Sequence, residues 1–405
     1  LFLVSDFGLC ISGITGIGGI MRKGIWQDFD GYQDIVEEIK ASRKLGGTVS
    51  SAVIAAEEYI SQLHPERLKL HVNDIIEEAP STKTLRLVSE NKYLPPFLAG
   101  QYIALFLEIG GIRTSRPYSI SSQPNQIGFY DITVRRVENG LVSNYLLDEV
   151  KRGDTLTSSG PAGNFYFNPL IHKQAMVCIA GGSGITPFMS MIREIADCGL
   201  DRNVYLFYGN KSTDDIIFDK ELIRLSERFQ NIKYIPVIED PADGYTGACG
   251  FITRDVLREV LDDTEDKSFF ICGPQGLYDF CLPQVVDLGV PRRKIKQEMY
   301  GAPSNIRQYP GWPDEINTDD VFVVKVKNGG QLKARAGETL LTALEKSGTV
   351  VPSLCRSGEC SMCRLKILHG KVYQPPGVPV RRSDRQFGYV HACMSYPIGD
   401  LEIML

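Results

Sequence analysis

The sequence predicts a multidomain α/β and β protein. It reads as a helical N-terminal segment, an antiparallel β-barrel, a parallel α/β domain and a small C-terminal domain carrying four cysteines. Three observations predict this order. From Lys69 to Asn168 short β-rich runs alternate with turns. From Gln174 to about Ala302 strand-like runs alternate with helical ones, the signature of a parallel sheet. Near the C-terminus Cys355, Cys360 and Cys363 form a C-x4-C-x2-C run, and Cys393 follows after a long gap. The expected divisions are 1–66, 67–170, 171–303, a linker at 304–320 and a last domain at 321–405.

The N-terminal segment comes first. Leu1 to Met21 is apolar, glycine-rich and interrupted by Asp6. It lacks a basic n-region, which argues against a signal peptide. Its shortness, glycines and charge argue against a membrane span. The chain starts with leucine, so residues are expected upstream. Two helical stretches follow, GYQDIVEEIKASRKLGG and TVSSAVIAAEEYISQLHPERL. They suggest a helical hairpin that caps the next domain or docks another subunit.

The barrel strands are expected at KLHVNDII, TKTLRLVS, QYIALFLEI, RPYSISS, YDITVRRV and DTLTSSG, with one helix from Ser143 to Val150. In the α/β part AMVCIA reads as a buried strand, followed by the turn GGSGITP and a helix from Pro187 to Cys198. NVYLFYGN, KYIPVIE and KSFFICG are further strands. The segment from Ser304 to Asp320, with Pro310, Gly311 and Pro313, reads as a linker.

Charge divides the chain unevenly. The net charge is −5, yet residues 321–405 hold 12 Lys/Arg against 6 Asp/Glu. A basic tail thus follows an acidic body. Either the two attract within the chain, or the basic face, with Arg356 and Arg364 flanking the cysteine loop and Arg381, Arg382 and Arg385 just before Cys393, steers an acidic redox partner. Nucleic acid is excluded as a partner, because the basic residues lack an interleaved aromatic platform. The scattered remaining cysteines are no disulfide framework. Free thiols fit a reducing compartment, so a cytoplasmic location is expected.

The cysteine spacing is that of plant-type [2Fe–2S] centres. A structural zinc site usually takes two separated C-x2-C pairs, and only one such pair is present. Ser357, Gly358 and Ser361 fill the gaps with small residues, which lets backbone N–H groups approach the sulfurs.

Other strings carry chemistry. Arg116-Pro117-Tyr118-Ser119 places a bidentate phosphate donor beside a flat aromatic ring and a hydroxyl. In the string from Gly140 to Asn144, which includes Val142, Ser143 suits a helix N-cap, where free N–H groups favour a diphosphate. Gly181-Gly182-Ser183-Gly184-Ile185-Thr186-Pro187 joins a strand to a helix, with Thr186 as the expected cap and glycines open to a pyrophosphate. Cys272-Gly273-Pro274 follows the strand SFFI. Glu239-Asp240 follows another strand and offers acidic acceptors to a ribose diol, which favours NADH over NADPH. Lys211 is the residue that argues otherwise.

In this order the strings resemble the ferredoxin–NADP reductase superfamily. From about Lys69 to Leu405 the chain resembles its iron–sulfur flavoprotein reductases, in the flavin–NAD–ferredoxin order of phthalate-dioxygenase-type members. The resemblance implies a β-barrel flavin domain, an α/β NAD domain and a β-grasp ferredoxin-like domain. It implies FAD, with FMN the lesser alternative, held by Arg116, Pro117, Tyr118, Ser119, Gly140, Val142 and Ser143. NADH would be held by Gly181, Gly182, Gly184, Thr186, Glu239, Asp240, Gly273 and Pro274. The cluster would be held by Cys355, Cys360, Cys363 and Cys393. Catalytic roles fall to Ser119 near N5, Cys272 beside the nicotinamide, Glu298 near the hydride path and Tyr300 stacked on the ring. Leu277 stands where the family often carries methionine. The implied activity passes electrons from NADH through flavin and cluster, singly, to a protein acceptor, an oxygenase-type or other redox partner, which the charge division makes acidic. A fixed electron-transfer subunit of a larger complex, running in reverse to make NADH, is the alternative.

Overall fold

The computed structural model describes Glu37 and residues 67–405, apart from Lys92 and Ser304. The hairpin and docking expectations for residues 1–66 otherwise lie outside the described residues. Among the described residues no helix is long and apolar enough to cross a membrane.

Six strands build the first layer: β1 (Leu68–Ala79), β2 (Thr82–Ser89), β3 (Tyr102–Ile109), β4 (Ile112–Ser119), β5 (Tyr130–Arg135) and β6 (Thr155–Ser158). They pair antiparallel in the order β4-β3-β6-β1-β2-β5. A bridge from Ile120 to Ile132 joins the two edges and closes the barrel. Leu70, Leu85, Leu87, Ile103, Leu105 and Ile132 fill it. The hairpin between β3 and β4 turns on Gly110-Gly111, both at positive φ, as a tight two-residue turn demands. Helix α1 (Leu141–Asp148) packs its Val142, Leu146 and Leu147 into this core.

The next domain runs β7 (Ala175–Gly181), α2 (Ile185–Cys198), β8 (Val204–Asn210), α3 (Asp219–Arg228), β9 (Ile232–Ile238), β10 (Ala248–Cys249), α4 (Arg254–Val260), β11 (Lys267–Gly273), α5 (Gln275–Asp287) and β12 (Ile295–Met299). The six strands are parallel, in the order β10-β9-β8-β7-β11-β12. The central β7 and β11 are covered on both faces, hence their continuous apolar runs. The strand order reverses between β7 and β11, and the crevice at the carboxyl ends there is where such sheets take ligands.

The last domain holds β13 (Val321–Val326), β14 (Gln331–Arg335), α6 (Leu340–Lys346), β15 (Arg364–His369), β16 (Val372–Tyr373), α7 (Arg382–Gln386), β17 (Tyr389–His391), β18 (Tyr396–Pro397) and β19 (Leu401–Met404). Its five-stranded sheet, β14-β13-β19-β15-β17, grasps α6 through Leu340, Leu341 and Leu344. Thr339 caps α6, its Oγ1 accepting from the Thr342 N–H at 3.2 Å. The segment expected to be a linker is packed: Ile306 and Trp312 are buried with Tyr373 and Tyr396.

Two cap expectations are corrected. Helix α1 begins at Leu141 with Gly140 in the cap position, so Ser143 lies inside the helix, its Oγ accepting from the Val137 N–H at 3.1 Å. Helix α2 begins at Ile185 after a 3-10 turn at Gly182–Gly184, so Thr186 lies inside it and donates to the Ser183 carbonyl at 2.7 Å.

Candidate functional site at the meeting of three domains

A cavity of about 410 Å³ opens between the three domains. From the barrel it takes Arg116, Pro117, Tyr118 and Ser119 on β4, and Ser143 on α1. From the parallel domain it takes Ser183 and Thr186, followed by Tyr300. The third wall belongs to the C-terminal domain: Thr339, Leu341, Thr342, Arg356 and Cys393. Arg116 Nη1 donates to Thr114 Oγ1 at 2.6 Å and to the Ser115 carbonyl at 2.7 Å. Burial, then the nearby Arg356 guanidinium, pushes the Arg116 pKa down to about 10. Burial also raises the Tyr118 phenol above its ordinary value. Of the residues expected here, Val142 lies in the barrel core instead, and Gly140 serves as the cap of α1.

The expected catalytic residues meet behind one edge of the cavity: Ser119 and Tyr300 line it, whereas Glu298 and the fully buried Cys272 line neither cavity. Ser119 Oγ donates to Glu298 Oε2 at 3.3 Å and lies 3.3 Å from the Tyr300 hydroxyl. The Cys272 thiol contacts the hydroxyls of Tyr300 and Tyr278. Tyr278 in turn accepts from the Gly273 N–H at 3.1 Å and donates to the Glu298 carbonyl. Burial, with the Glu359 carboxylate adding, pushes the Glu298 pKa up to about 8. Burial and Glu298 hold the Cys272 thiol well above its usual value, so it stays protonated. Tyr300 is 41% exposed, but its hydroxyl sits deep in the cleft, where protein rather than bulk water surrounds it.

A second cavity, about 790 Å³, follows the carboxyl ends of β7, β8, β11 and β12. Gly181, Gly182, Gly273 and Pro274 line it with Leu277 packed against the two glycines Gly181 and Gly273, as do Lys211 and Glu239, and Tyr300 is shared with the first cavity. Gly182 sits at φ +50, a left-handed conformation that brings main chain to the surface of the cavity. Gly184 does not line it. A Cβ there would overlap the Cys272 carbonyl, so its role is close strand–helix packing. Asp240 is exposed beside the cavity, its N–H bonded to the Lys211 carbonyl at 2.8 Å. Sequence reasoning missed Arg135, which lines both cavities and pairs with Asp215. Asn210 lines the second cavity beside Lys211, and its buried Oδ1 lacks a hydrogen-bond partner.

The four expected cysteines come together. The Cys355 thiol contacts those of Cys360 and Cys393, and Cys363 contacts Cys393. Backbone N–H groups approach the sulfurs as small residues allow: Cys360 N to Cys355 Sγ at 3.3 Å and Cys393 N to Cys363 Sγ at 3.5 Å. Among the described residues no His, Cys, Asp or Glu group is arranged for a single metal ion. A two-iron cluster differs in taking its thiolates as two pairs, one on each iron. The donor set of four grouped thiols fits such a cluster. The arginine-bearing cavity fits a flavin phosphate, and the glycine-lined one fits a dinucleotide.

The comparisons follow this geometry. Residues 68–167 match the oxidoreductase FAD-binding domain family, 178–282 the oxidoreductase NAD-binding domain family, and 325–397 the 2Fe-2S iron-sulfur cluster binding domain family. NADH oxidoreductase HCR of Escherichia coli (strain K12) is 30% identical, over 82% of this chain and 96% of that protein. This chain belongs to the iron–sulfur flavoprotein reductases. The glycine betaine monooxygenase reductase subunit of Chromohalobacter salexigens is 28% identical, over 80% of this chain and 91% of its own length. The ferredoxin reductase component of the 3-ketosteroid-9-alpha-monooxygenase of Rhodococcus rhodochrous is 28% identical over 82% and 94%. The fold matches the solved structure of phthalate dioxygenase reductase with a TM-score of 0.61 at 24% identity, over 84% of this chain and 98% of that one. The reductase is thus a flavoprotein oxidoreductase, with FAD, NAD and [2Fe–2S] domains in that order.

Proposed function

We propose that this reductase draws electrons from NADH and delivers them singly to an acidic, oxygenase-type protein acceptor in the cytoplasm. One observation carries the reading: Cys393 lines the same cavity as Arg116, Tyr118 and Ser119, so cluster ligand and flavin segment share a wall. When bound, flavin supplies two-electron chemistry with the nicotinamide, and the cluster supplies one-electron chemistry with a protein.

The residues supply binding, orientation and proton handling. Arg116 would hold the phosphate, and Tyr118 and Tyr300 would hold the ring. Ser119 and Glu298 hold a proton between Ser119 Oγ and Glu298 Oε2, with Glu298 poised near neutrality. Cys272, neutral and fixed by two tyrosines, is buried behind Tyr300 and would reach a nicotinamide only from behind that ring. Gly181, Gly182, Gly273 and Pro274 leave room for its pyrophosphate. Glu239 takes the ribose diol. The four cysteines hold the cluster. None of the nine described cysteines forms a disulfide, which supports the cytoplasm.

The acceptor face is narrower than the charge count suggests. Arg356 and Arg364 flank the cysteine loop and were expected to steer the partner. Arg356 is instead buried against Glu345, and Arg364 pairs with Asp384 at 2.9 Å and lies over Tyr389. Arg381, Arg382 and Arg385 remain exposed, with the 61% exposed Phe387 beside them. The test is stopped-flow reduction of an acidic surrogate, a plant-type ferredoxin. Raising salt from about 0.1 M to about 1 M shortens the Debye length from about 10 Å to about 3 Å. The surrogate's reduction should slow severalfold while flavin reduction by NADH holds. The variant Arg381→Glu/Arg382→Glu should reproduce the high-salt rate. A flat salt profile would sink the steering claim.

A further inference from the structure

The wall that the C-terminal domain lends to the flavin cavity contains an arginine that the flavin motifs do not account for. Arg356 directly follows the cluster ligand Cys355, yet it points at the barrel. Its Nη1 donates to the Ser115 carbonyl of β4 at 3.0 Å. Its two terminal nitrogens pair with Glu345 of α6 at 2.7 and 2.8 Å. Arg116 Nη1 donates to the same Ser115 carbonyl at 2.7 Å. One peptide group of β4 is therefore shared by two guanidiniums from different domains. Ser115 Oγ adds a second tie, lying 2.8 Å from Ser353 Oγ and donating to the Ser353 carbonyl at 3.0 Å. Arg356 holds φ +56, a left-handed conformation uncommon outside glycine, and it is only 8% exposed.

Charge makes the arrangement more than a latch. Two buried or half-buried guanidiniums face the cavity, and Glu345 offsets only one of them. Like charges held this close out of water call for an anion between them. We propose that Arg116 and Arg356 together hold the phosphate that follows the ribityl chain in FMN and FAD alike, so that the ferredoxin-like domain is itself part of the flavin site. This rests on the flavin reading above. By linkage, flavin binding then tightens domain docking, and docking tightens flavin by the same factor.

The experiment uses the full chain stripped of flavin, titrated with FAD, FMN and riboflavin, which lacks the phosphate, and read by flavin fluorescence. Arg356→Gln should weaken FAD and FMN by about 10- to 100-fold, the range for a charge-assisted hydrogen bond, and leave riboflavin within about twofold. Glu345→Gln keeps the guanidinium and should bind FAD as tightly as the unaltered chain, or more so. Hydrogen exchange in the 353–358 peptide should slow with FAD and not with riboflavin. Equal loss of FAD and riboflavin in Arg356→Gln would mean a structural latch only and overturn the proposal. Where Arg356→Gln fails to fold, the neutral pair Glu345→Gln/Arg356→Gln decides, and an undiminished preference for FAD over riboflavin in it overturns the proposal as well. Arg116→Gln separates the two readings. If it weakens FAD and Arg356→Gln does not, only the shared site fails. If neither does, the assignment of Arg116 to phosphate fails with it.

Discussion

The barrel is gripped from two sides by the same device. On the parallel domain, Arg193 pairs with Glu221 through two bonds of 2.9 and 2.7 Å and donates to the Ser121 carbonyl of the barrel at 2.8 Å. Ser190 Oγ donates beside it to the Ser122 carbonyl at 2.6 Å. On the ferredoxin-like domain, Arg356 pairs with Glu345 and reaches the Ser115 carbonyl, with Ser353 beside it. In both grips an arginine is held rigid by its own domain's glutamate and spends a remaining donor on a barrel carbonyl. They differ in surroundings. The Arg193–Glu221 side chains are 17% and 28% exposed, and the pair lies away from both cavities. The Arg356–Glu345 side chains are 9% and 6% exposed, and Arg356 lines the flavin cavity. The first grip assembles two domains. The second places a domain where the cofactor can feel it.

The sharpest way to separate the two sides is to disable the cluster alone. Cys360→Ser should lower reduction of a one-electron protein acceptor by more than about 100-fold, the equivalent of at least ~2.7 kcal/mol in the barrier. NADH–ferricyanide turnover should stay within about twofold, and the rhombic low-temperature EPR signal should vanish. A variant that keeps its protein acceptor would break the assigned route.

Next comes the parallel-domain grip. Arg193→Ala leaves Glu221 and a barrel carbonyl without their donor, at a cost of about 1–3 kcal/mol. Urea unfolding should show the same loss with and without FAD. A loss that changed on flavin loading would erase the contrast between the grips.

The nucleotide side yields a smaller effect. Glu239→Ser should cut the kcat/KM preference for NADH over NADPH by about tenfold, ~1.4 kcal/mol. Steady-state assays with ferricyanide measure it, and an unchanged ratio would pass the selectivity to Lys211 or Asn210.

The smallest effect is a slope. Glu298 in the folded chain binds its proton more tightly than an ordinary carboxyl, with a pKa of about 8 against 4.5. Its protonation therefore stabilises the fold fully below about pH 4.5, and that stability is lost as pH rises through about 8. Urea midpoints of the flavin-free chain between pH 6 and 9 should decline, and Glu298→Gln should flatten that part of the decline. A variant with an undiminished slope would assign the proton elsewhere.

What could be read from sequence was what lies in contiguous strings. All six barrel strands, the central strands of the parallel sheet and the four cysteines follow from alternation, apolar runs and spacing, each set by local backbone geometry. Both helix starts were displaced by two residues, from Ser143 to Leu141 and from Pro187 to Ile185. Ser143 and Thr186 have capping chemistry, but Gly140 and the Gly182–Gly184 turn stand earlier and need no side chain to begin the helix. Val142 went to the core because its face of α1 is the apolar one. Arg356 was the larger surprise. A lone arginine in a cysteine loop reads as exposed, since Glu345 stands on another element and Ser115 lies 241 residues away. Pairing across domains leaves no local pattern. Arg135 was hidden in the same way at the end of an ordinary strand.

The shared wall also has a history in each molecule's birth. The barrel leaves the ribosome ahead of the parallel and ferredoxin-like domains and can fold while they are being made. Its flavin pocket then lacks Thr339, Arg356 and Cys393, which are translated last among its walls. If Arg356 shares the flavin phosphate as proposed, firm capture of flavin waits for the cluster-bearing domain to arrive. A nascent chain would then hold little flavin with which to leak electrons to oxygen before it owns the domain meant to carry them away.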